Sequence, residues 1–329
     1  MTNARTSAPE DLIQGVLDGD RRALARAISI VEGQGALRAR LLKELYPPGH
    51  RASICGITGP PGAGKSTLVE RLAHTELEEH PETRVGVVAV DPTSPFTGGA
   101  LLGDRIRMPG LAVHPRAFIR SMATRGSRGG LARAAREVAV LMGAAGSDRV
   151  LMETVGVGQV ELDVAEAADT TVVVLVPESG DGIQAMKAGL MEIGDVFVIN
   201  KADREGAEGL RVEVEQVLHM RPGEGWSHPV LKTIASTGEG TAEVIEAIAS
   251  HRAWLTESGE GRARRQRRTV SYVKEIVQET LSRRLWEMET CREQLDRRTA
   301  DILAGQADPF AVAEEILSAS GMLAAIEGE

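Results

Sequence analysis

The sequence predicts an α/β fold in which a mainly parallel sheet carries helices on both faces, with helical extensions at the two ends. Three observations support this prediction. Short apolar runs alternate with helical patterns, a glycine-rich loop joins the first run to the helix after it, and further helical patterns flank the alternating region. Parallel strands buried on both faces read as continuous apolar runs and need helical crossovers. We therefore expect ligands at the carboxyl edge of the sheet.

Composition sets broad limits on the function. The chain has 329 residues, of which 42% are hydrophobic, enough for one large domain with appendages or for two domains. A net charge of −9 argues against a general nucleic-acid binder. The N-terminus has no signal-like apolar region and no run is long enough to cross a bilayer, so we expect no membrane association. Two distant cysteines, Cys55 and Cys291, fit a reducing cytoplasm or organelle matrix, and we expect a cytoplasmic location.

The elements follow from apolar periodicity. Residues 9–47 show spacings near three and four, which predict helices that Pro47-Pro48-Gly49 then stop. The predicted strands are 52–58, 85–90, 149–153, 171–176, 195–199 and 229–234, and the helices among them are 65–79, 129–145, 206–220 and 241–255. After residue 258 a long helix is predicted, with one apolar stripe. We thus expect a helical N-terminal extension (1–48), an α/β domain (49–258) and a helical C-terminal arm (259–329).

The glycine-rich loop Gly59-Pro-Pro-Gly-Ala-Gly-Lys-Ser66 has the spacing of a phosphate-binding P-loop. Its backbone N–H groups can surround a phosphate chain, Lys65 can reach the β and γ phosphates, and the Ser66 hydroxyl can ligate Mg²⁺. The helix that follows adds its positive N-terminal dipole. The predicted phosphate-side residues are Gly59, Pro60, Pro61, Gly62, Ala63, Gly64, Lys65, Ser66 and Thr67.

The segment Asn200-Lys-Ala-Asp203, at the end of a predicted strand, indicates which base is bound. The Asp203 carboxylate can accept hydrogen bonds from both N1–H and the exocyclic amine of guanine, a donor pair that adenine lacks. Asn200 would brace the loop, and the stem of Lys201 would cover the ring. A later turn offers backbone N–H groups to guanine O6 from Ile234, Ala235 and Ser236, although Ile234 replaces the usual polar residue. The sequence therefore predicts a guanine nucleotide.

Acidic residues at predicted strand ends provide candidate ligands for Mg²⁺. Glu153 can hold the ion through a water molecule, and Gly156 can bring its N–H to the γ-phosphate. Asp91 and Asp104 either complete the magnesium shell or orient the attacking water, and capping or turn roles are the alternative. The predicted metal ligands are Ser66, Asp91, Asp104 and Glu153.

The water-positioning glutamine of Ras-like enzymes is absent from its usual place, because Val157 follows Gly156. We therefore expect slow hydrolysis by the isolated protein, with another group supplied by a conformational change or by a partner. Candidates for that group are Gln159, Arg105, Arg107, Asp181 and Lys187, with surface salt bridges as the alternative role. The predicted catalytic residues are Lys65, Asp91, Glu153, Asp181 and Lys187.

Together, the motifs Gly59–Thr67, Val90–Pro95, Gly103–Met108, Glu153–Gln159 and Asn200–Asp203 resemble the MeaB/ArgK GTPases over nearly the whole chain. The resemblance implies a P-loop NTPase fold, a SIMIBI-class G domain that binds GTP or GDP with Mg²⁺. It also implies a homodimer joined through the C-terminal arm, and a chaperone role that gates adenosylcobalamin delivery to methylmalonyl-CoA mutase and protects this partner. Asp181 and Lys187 would then belong to a mobile switch.

Two other functions use the same loop. A P-loop kinase of a small molecule or transport protein would transfer phosphate to an acceptor. A nickel-insertion GTPase would want a His-rich tract or a paired Cys/His site, whereas the seven histidines here are scattered. The basic stretch 262–268 suggests nucleic acid, but no aromatic residues interleave it, and we interpret it as a solvated or dimer-facing helix start.

Overall fold

The computed structural model describes residues 8–33, 35–91, 108–123, 130–154, 160–177, 189–220 and 225–321. The chain divides into two compact units, Met1–Arg264 and Arg265–Glu329. The first unit contains the sheet, and the second is helical. Within the described part of the chain, no helix is both long and apolar enough to cross a membrane.

Three helices precede the sheet. They are α1 (Pro9–Leu17), α2 (Arg21–Val31) and α3 (Ala36–Gly49). The side chain of Asp20 caps α2 by accepting a hydrogen bond from the N–H of Ala23 at 2.7 Å. On α3, Arg38 donates to the buried carboxylate of Glu137 at 2.6 and 2.8 Å. The N-terminal helices therefore belong to the same unit as the sheet.

The predicted helix stop at Pro47-Pro48-Gly49 is wrong, because these residues form the last turn of α3. The fixed φ of proline is compatible with a helix. Its cost is the hydrogen bond that its missing N–H cannot make and the clash of its ring with the carbonyl group four residues earlier. Packing offsets that loss: a Cβ on Gly49 would lie 2.0 Å from the carbonyl oxygen of Val140. This close approach to the neighbouring helix holds the final turn in place.

The sheet has seven described strands, and every adjacent pair is parallel. The strands are β1 (Ser53–Thr58), β2 (Val85–Asp91), β3 (Ala117–Ala123), β4 (Arg149–Thr154), β5 (Thr170–Leu175), β6 (Val196–Asn200) and β7 (Val230–Thr233). Their order across the sheet is β3-β2-β4-β1-β5-β6-β7. The predicted parallel α/β fold is confirmed, and the six predicted strands match to within about one residue at either end.

Strand β3 was not predicted. Among the described strands it lies at the edge of the sheet and pairs only with β2. Arg120 and Ser121 interrupt its apolar pattern, since an edge strand is not covered on every side. Arg120 donates to Glu32, the residue that follows the last turn of α2, at 3.0 Å, so the polar side chain in this strand has a packing role of its own.

Helices cover both faces of the sheet. They are α4 (Lys65–Glu79), α5 (Pro109–Ala112), α6 (Gly130–Ala144), α7 (Val160–Ala167), α8 (Leu190–Ile193), α9 (Ala207–His219) and α10 (Thr241–Glu257). One apolar cluster joins α1, α2, α3, α6 and α7 to the sheet, and another joins α4 and α10 to the opposite face. A third packs α8 and α9 on β5 and β6. Side chains on β4 alternate between the first two clusters, as a two-residue strand period requires.

A buried polar cluster lies at the amino edge of the sheet, opposite the P-loop. Asp195 accepts hydrogen bonds from the N–H of Thr171 at 2.9 Å and from Arg264 at 3.0 Å. The buried His251 has Nε2 3.3 Å from Asp195 and Nδ1 2.8 Å from the hydroxyl of Thr170. Burial raises the pKa of Asp195, but the contacts with His251 and Arg264 outweigh it and hold the pKa below its ordinary value.

The second unit is formed by the later part of α11 (Glu260–Glu287), by α12 (Glu289–Leu303) and by α13 (Pro309–Ala319). Its core is small, comprising Leu285, Cys291, Val312 and Ile316. One stripe of α11 stays about half exposed: Val270, Val273, Val277 and Leu281 are 49, 51, 48 and 49% exposed.

Candidate nucleotide-binding site

The P-loop lies between the carboxyl end of β1 and the first turn of α4. Gly59, Gly62 and Gly64 have φ angles of +139°, +75° and +85°. A Cβ on Gly59 would lie 2.1 Å from the carbonyl oxygen of Val174, and one on Gly64 would lie 2.4 Å from Nδ2 of Asn200. The loop therefore needs glycine at two of these positions for both backbone conformation and space.

Lys65 is the first residue of α4 and is buried. Its Nζ donates hydrogen bonds to the carbonyl oxygens of Gly59 at 2.7 Å and Pro60 at 2.9 Å. Burial lowers the pKa of Lys65, while the charges of Glu153 and Glu161 oppose that shift. The two hydrogen bonds hold the ammonium group of Lys65 against the P-loop.

Two carboxylates lie near Lys65. Glu153, near the end of β4, is fully buried and pairs in register with Ile57 of β1. Glu161 lies in the first turn of α7, where burial raises its pKa and the charge of Lys65 opposes the rise. The sequence reasoning did not single out Glu161. Its position in a helix that begins soon after an acidic strand end was the signal that would have found it.

The other predicted residues differ in what the structure describes. Ser66 is half-buried and Thr67 is exposed in the first turn of α4. Asp91 is the last residue of β2, and its side chain lies outside the described part. Also outside it are Asp104, Arg105, Arg107, Gly156, Val157, Gln159, Asp181 and Lys187.

Asn200 joins the P-loop to the loops predicted to bind the base. Its Nδ2 donates to the carbonyl oxygen of Ala63 at 2.8 Å. Its Oδ1 accepts from the hydroxyl of Thr233 and from the N–H of Ala235, both at 3.1 Å. The side chain is buried, and its amide uses one donor and one acceptor on three partners. It therefore fixes the distance between the phosphate side and the base side.

The turn after β6 contains the predicted base-side residues Lys201 and Asp203. Lys201 adopts a φ of +57°, a left-handed conformation that is uncommon for residues other than glycine. The N–H of Ala202 donates to the carbonyl oxygen of Thr233 at 3.0 Å. Asp203 follows as an exposed carboxylate. The edge of the sheet thus presents this acid beside the end of β7.

The turn that follows β7, residues 234–236, is the second base-side turn, and its hydrogen bonds limit which of its N–H groups can contact the base. The N–H of Ile234 donates to Glu239 O at 3.0 Å, and the N–H of Ala235 is taken by Asn200. Within the described residues, the N–H of Ser236 donates to no group. Of the three predicted donors, Ser236 is therefore the one that remains available. Arg71, which the sequence reasoning also left out, donates to two carbonyl oxygens of this turn.

A phosphate loop, a buried strand-end carboxylate and an Asn-Lys-x-Asp turn on one edge of a parallel sheet define a P-loop GTPase. The family described as "Methylmalonyl Co-A mutase-associated GTPase MeaB" matches residues 24–290. The chain belongs to this family.

Individual relatives agree with this assignment. A Pyrococcus horikoshii protein named "Putative GTPase" is 44% identical over 312 residues, covering 94% of this chain and 97% of the relative. "GTPase ArgK" of Escherichia coli is 37% identical over 295 residues, covering 87% of this chain and 88% of the relative. A crystal structure titled "LAO/AO transport system kinase" is 29% identical with a TM-score of 0.69, covering 97% of this chain and 98% of that chain.

Proposed function

We propose that this GTPase couples GTP hydrolysis to a methylmalonyl-CoA mutase, gating adenosylcobalamin delivery to the mutase and protecting it from inactivation. The proposed binding of a guanine nucleotide is supported mainly by the hydrogen bonds of Asn200, which connect the P-loop at Ala63 to the base-side turn at Ala235. The name of the family, which mentions the mutase, supports the partner. A switch element that responds to hydrolysis would transmit the change to the partner.

The residues present fit a magnesium ion. Hydroxyl and carboxylate oxygens are among the ligands that Mg²⁺ prefers. Ser66 would supply the first from the start of α4, and Glu153 would supply the second from the end of β4, the strand next to β1. The hydroxyls of Thr58 and Thr154 are also buried there, without a hydrogen-bond partner in the described part of the chain. In our proposal Asp91 and Asp104 complete the set. A bound Mg²⁺ would offset negative charge on the β and γ phosphates.

The chain's own residues would divide the work on the phosphate chain. Backbone N–H groups of the loop, which Pro60 and Pro61 lack, would hold the phosphates, and Lys65 would exchange its carbonyl partners for phosphate oxygens. Glu153 orients the magnesium shell. Asp181 and Lys187 would act in the switch, and with Val157 in the usual glutamine position the isolated chain would turn over slowly.

Homodimerisation through the arm is part of the proposal. The half-exposed stripe of α11 carries four branched apolar side chains at helical spacing, and a second copy would bury them. Removing residues 262–329 should then leave a monomer in sedimentation experiments. A shortened chain that still sediments as a dimer would contradict the arm as the interface.

The partner assignment is tested by GTP hydrolysis with and without an adenosylcobalamin-dependent methylmalonyl-CoA mutase, with ATP as the control nucleotide. We expect slow turnover of GTP alone that rises when the mutase is added. GTP turnover that does not change when the mutase is added would reject the mutase as the partner but leave the GTPase activity in place.

Lys65→Ala should abolish hydrolysis, and near-normal turnover by this variant would contradict the role of the P-loop.

A second candidate function is phosphate transfer, because the solved structure with a TM-score of 0.69 carries a kinase title. The discriminating measurement follows the γ-phosphate of labelled GTP. Label that appears only as inorganic phosphate supports the GTPase. Label that appears on an added protein or small-molecule acceptor supports the kinase.

A further inference from the structure

Arg71 connects the P-loop helix to the second base-side turn. It lies in the second turn of α4, and its Nε donates to the carbonyl oxygen of Ala235 at 3.3 Å. Its Nη2 donates to the carbonyl oxygen of Ser236 at 2.8 Å. Two adjacent carbonyl groups of one turn thus share one guanidinium, whose planar fork can hold both at once.

We propose that Arg71 is a positioning residue for base discrimination: it orients the peptide between Ala235 and Ser236 so that the Ser236 N–H faces the 6-oxygen of guanine. The inference rests on the proposed guanine site and adds to it a second point of discrimination, distinct from Asp203. Arg71 acts through the backbone and does not itself touch the base.

The planarity of the peptide bond supports this role. In a trans peptide the carbonyl oxygen of one residue and the N–H of the next point in opposite directions. Because Arg71 binds Ala235 O, it directs the Ser236 N–H away from α4. Asn200 fixes the preceding peptide by accepting the Ala235 N–H. The turn is therefore held at two consecutive peptides, and the Ser236 N–H is its remaining described donor.

The chemistry at position 6 explains why such a donor discriminates. Guanine has a carbonyl oxygen there, which accepts a hydrogen bond from an N–H group. Adenine has an amine, which would place a donor against a donor and leave both groups unpaired. 2-Aminopurine keeps the 2-amine that Asp203 would bind but lacks both the 6-oxygen and the N1–H of guanine, so its nucleotide should bind more weakly than GDP for two reasons. Because it offers no 6-oxygen, the change in its affinity when Arg71 is replaced reports only effects other than the Ser236 contact, and the difference from the change for GDP isolates that contact.

The test measures, by calorimetry on the full chain, the affinities for GDP, ADP and 2-aminopurine riboside diphosphate. Arg71→Met keeps the length of the stem and removes both donors. We expect it to weaken GDP binding about fivefold and 2-aminopurine nucleotide binding less than about twofold. Arg71→Lys, which cannot hold both carbonyl groups with one planar fork, should recover only part of the loss.

Arg116→Met is the matched control. Arg116 also donates to backbone carbonyl groups, those of His80 and Thr83 at 2.9 Å, but outside the base-side turns. This variant should leave the ratio of GDP to 2-aminopurine nucleotide affinities unchanged, even if it lowers the unfolding temperature.

One result would overturn the role of Arg71: a ratio of GDP to 2-aminopurine nucleotide affinities that keeps its wild-type value in Arg71→Met, whether both affinities are unchanged or both fall by the same factor. A different result, wild-type protein that binds ADP as tightly as GDP, would reject the proposed guanine site and the inference with it. The two failures are distinguishable, because only the second is visible before any variant is made.

Discussion

Replacing Asn200 with alanine should destabilise the protein, because its side chain links the P-loop, the end of β7 and the turn that follows β7. The side chain is 2% exposed and makes three hydrogen bonds, to Ala63 O, to the Thr233 hydroxyl and to the Ala235 N–H. A net contribution of about 0.5–1.5 kcal/mol for each gives a loss of ~2–4 kcal/mol. The loss lies toward the upper end of that range if water cannot reach the groups left behind.

Urea unfolding of the nucleotide-free full chain measures this loss. Trp226 and Trp254 lie in the first unit and Trp286 lies in the second, so the measurement is made in a Trp286→Phe background, where the fluorescence reports on the first unit. Asn200→Ala should lower the midpoint without changing the slope of the transition. Thr233→Val, which removes one of the three bonds, should cost about 1 kcal/mol. The double variant should lose less than the sum, because both single changes remove the same bond.

A matched control separates this effect from the general cost of losing a hydroxyl group. Thr256 donates to Arg252 O at 3.0 Å on the exposed surface of α10, so Thr256→Val should change stability by no more than ~0.5 kcal/mol. The reasoning is refuted if Asn200→Ala costs as little as this control. Strict additivity of the Asn200 and Thr233 changes would refute it equally.

Three further outcomes are expected. Asp203→Asn should shift nucleotide preference from guanine toward xanthine, and unchanged GTP affinity would contradict the base-selection role. Burial raises the pKa of Glu161, so the folded state binds a proton more tightly and stability falls as pH rises from the usual pKa through the raised one. Glu161→Gln should therefore raise Tm at about pH 7 but not at about pH 4, and a gain of equal size at both would reject the burial argument. Gly59→Ala should cost ~3 kcal/mol or more, because its Cβ would meet Val174 O at 2.1 Å. Gly209→Ala is the control: its Cβ would have nothing within 4 Å and alanine favours the helix, so this variant should keep or slightly raise the unfolding temperature.

The sheet was predictable because its central strands are buried on both faces. Such strands read as apolar runs, and the run before the P-loop matches β1 to within one residue. Edge strand β3 escaped prediction because Arg120 gains a partner from α2, a contact between residues far apart in sequence. The last turn of α3 escaped for a similar reason, since close packing of Gly49 against α6 outweighs the local signal of two prolines.

The site was predictable where a motif encodes its own geometry. The left-handed Gly64 and the Asn200 turn follow directly from their short spacings. The role of Arg71 depends on the turn that the fold brings against α4, so spacing along the chain carries no signal for it. Glu161 has only the signal of a helix that begins soon after an acidic strand end, and its nearness to Lys65 depends on the fold. Which N–H groups of the second base-side turn are free could not be predicted from the sequence either, because their partners lie on β6 and across the turn.

The packing of the N-terminal helices determines how far the protein can be shortened. Ile28, Leu41 and Leu45 are completely buried in the cluster that also covers one face of the sheet. A chain starting at residue 50 would keep α6 and α7 on that face of the sheet but would expose the apolar side of α6 on which the N-terminal helices pack, which favours aggregation over nucleotide binding. The smallest active fragment of this GTPase must therefore retain the helices that begin at Pro9, although none of their residues belongs to a nucleotide motif.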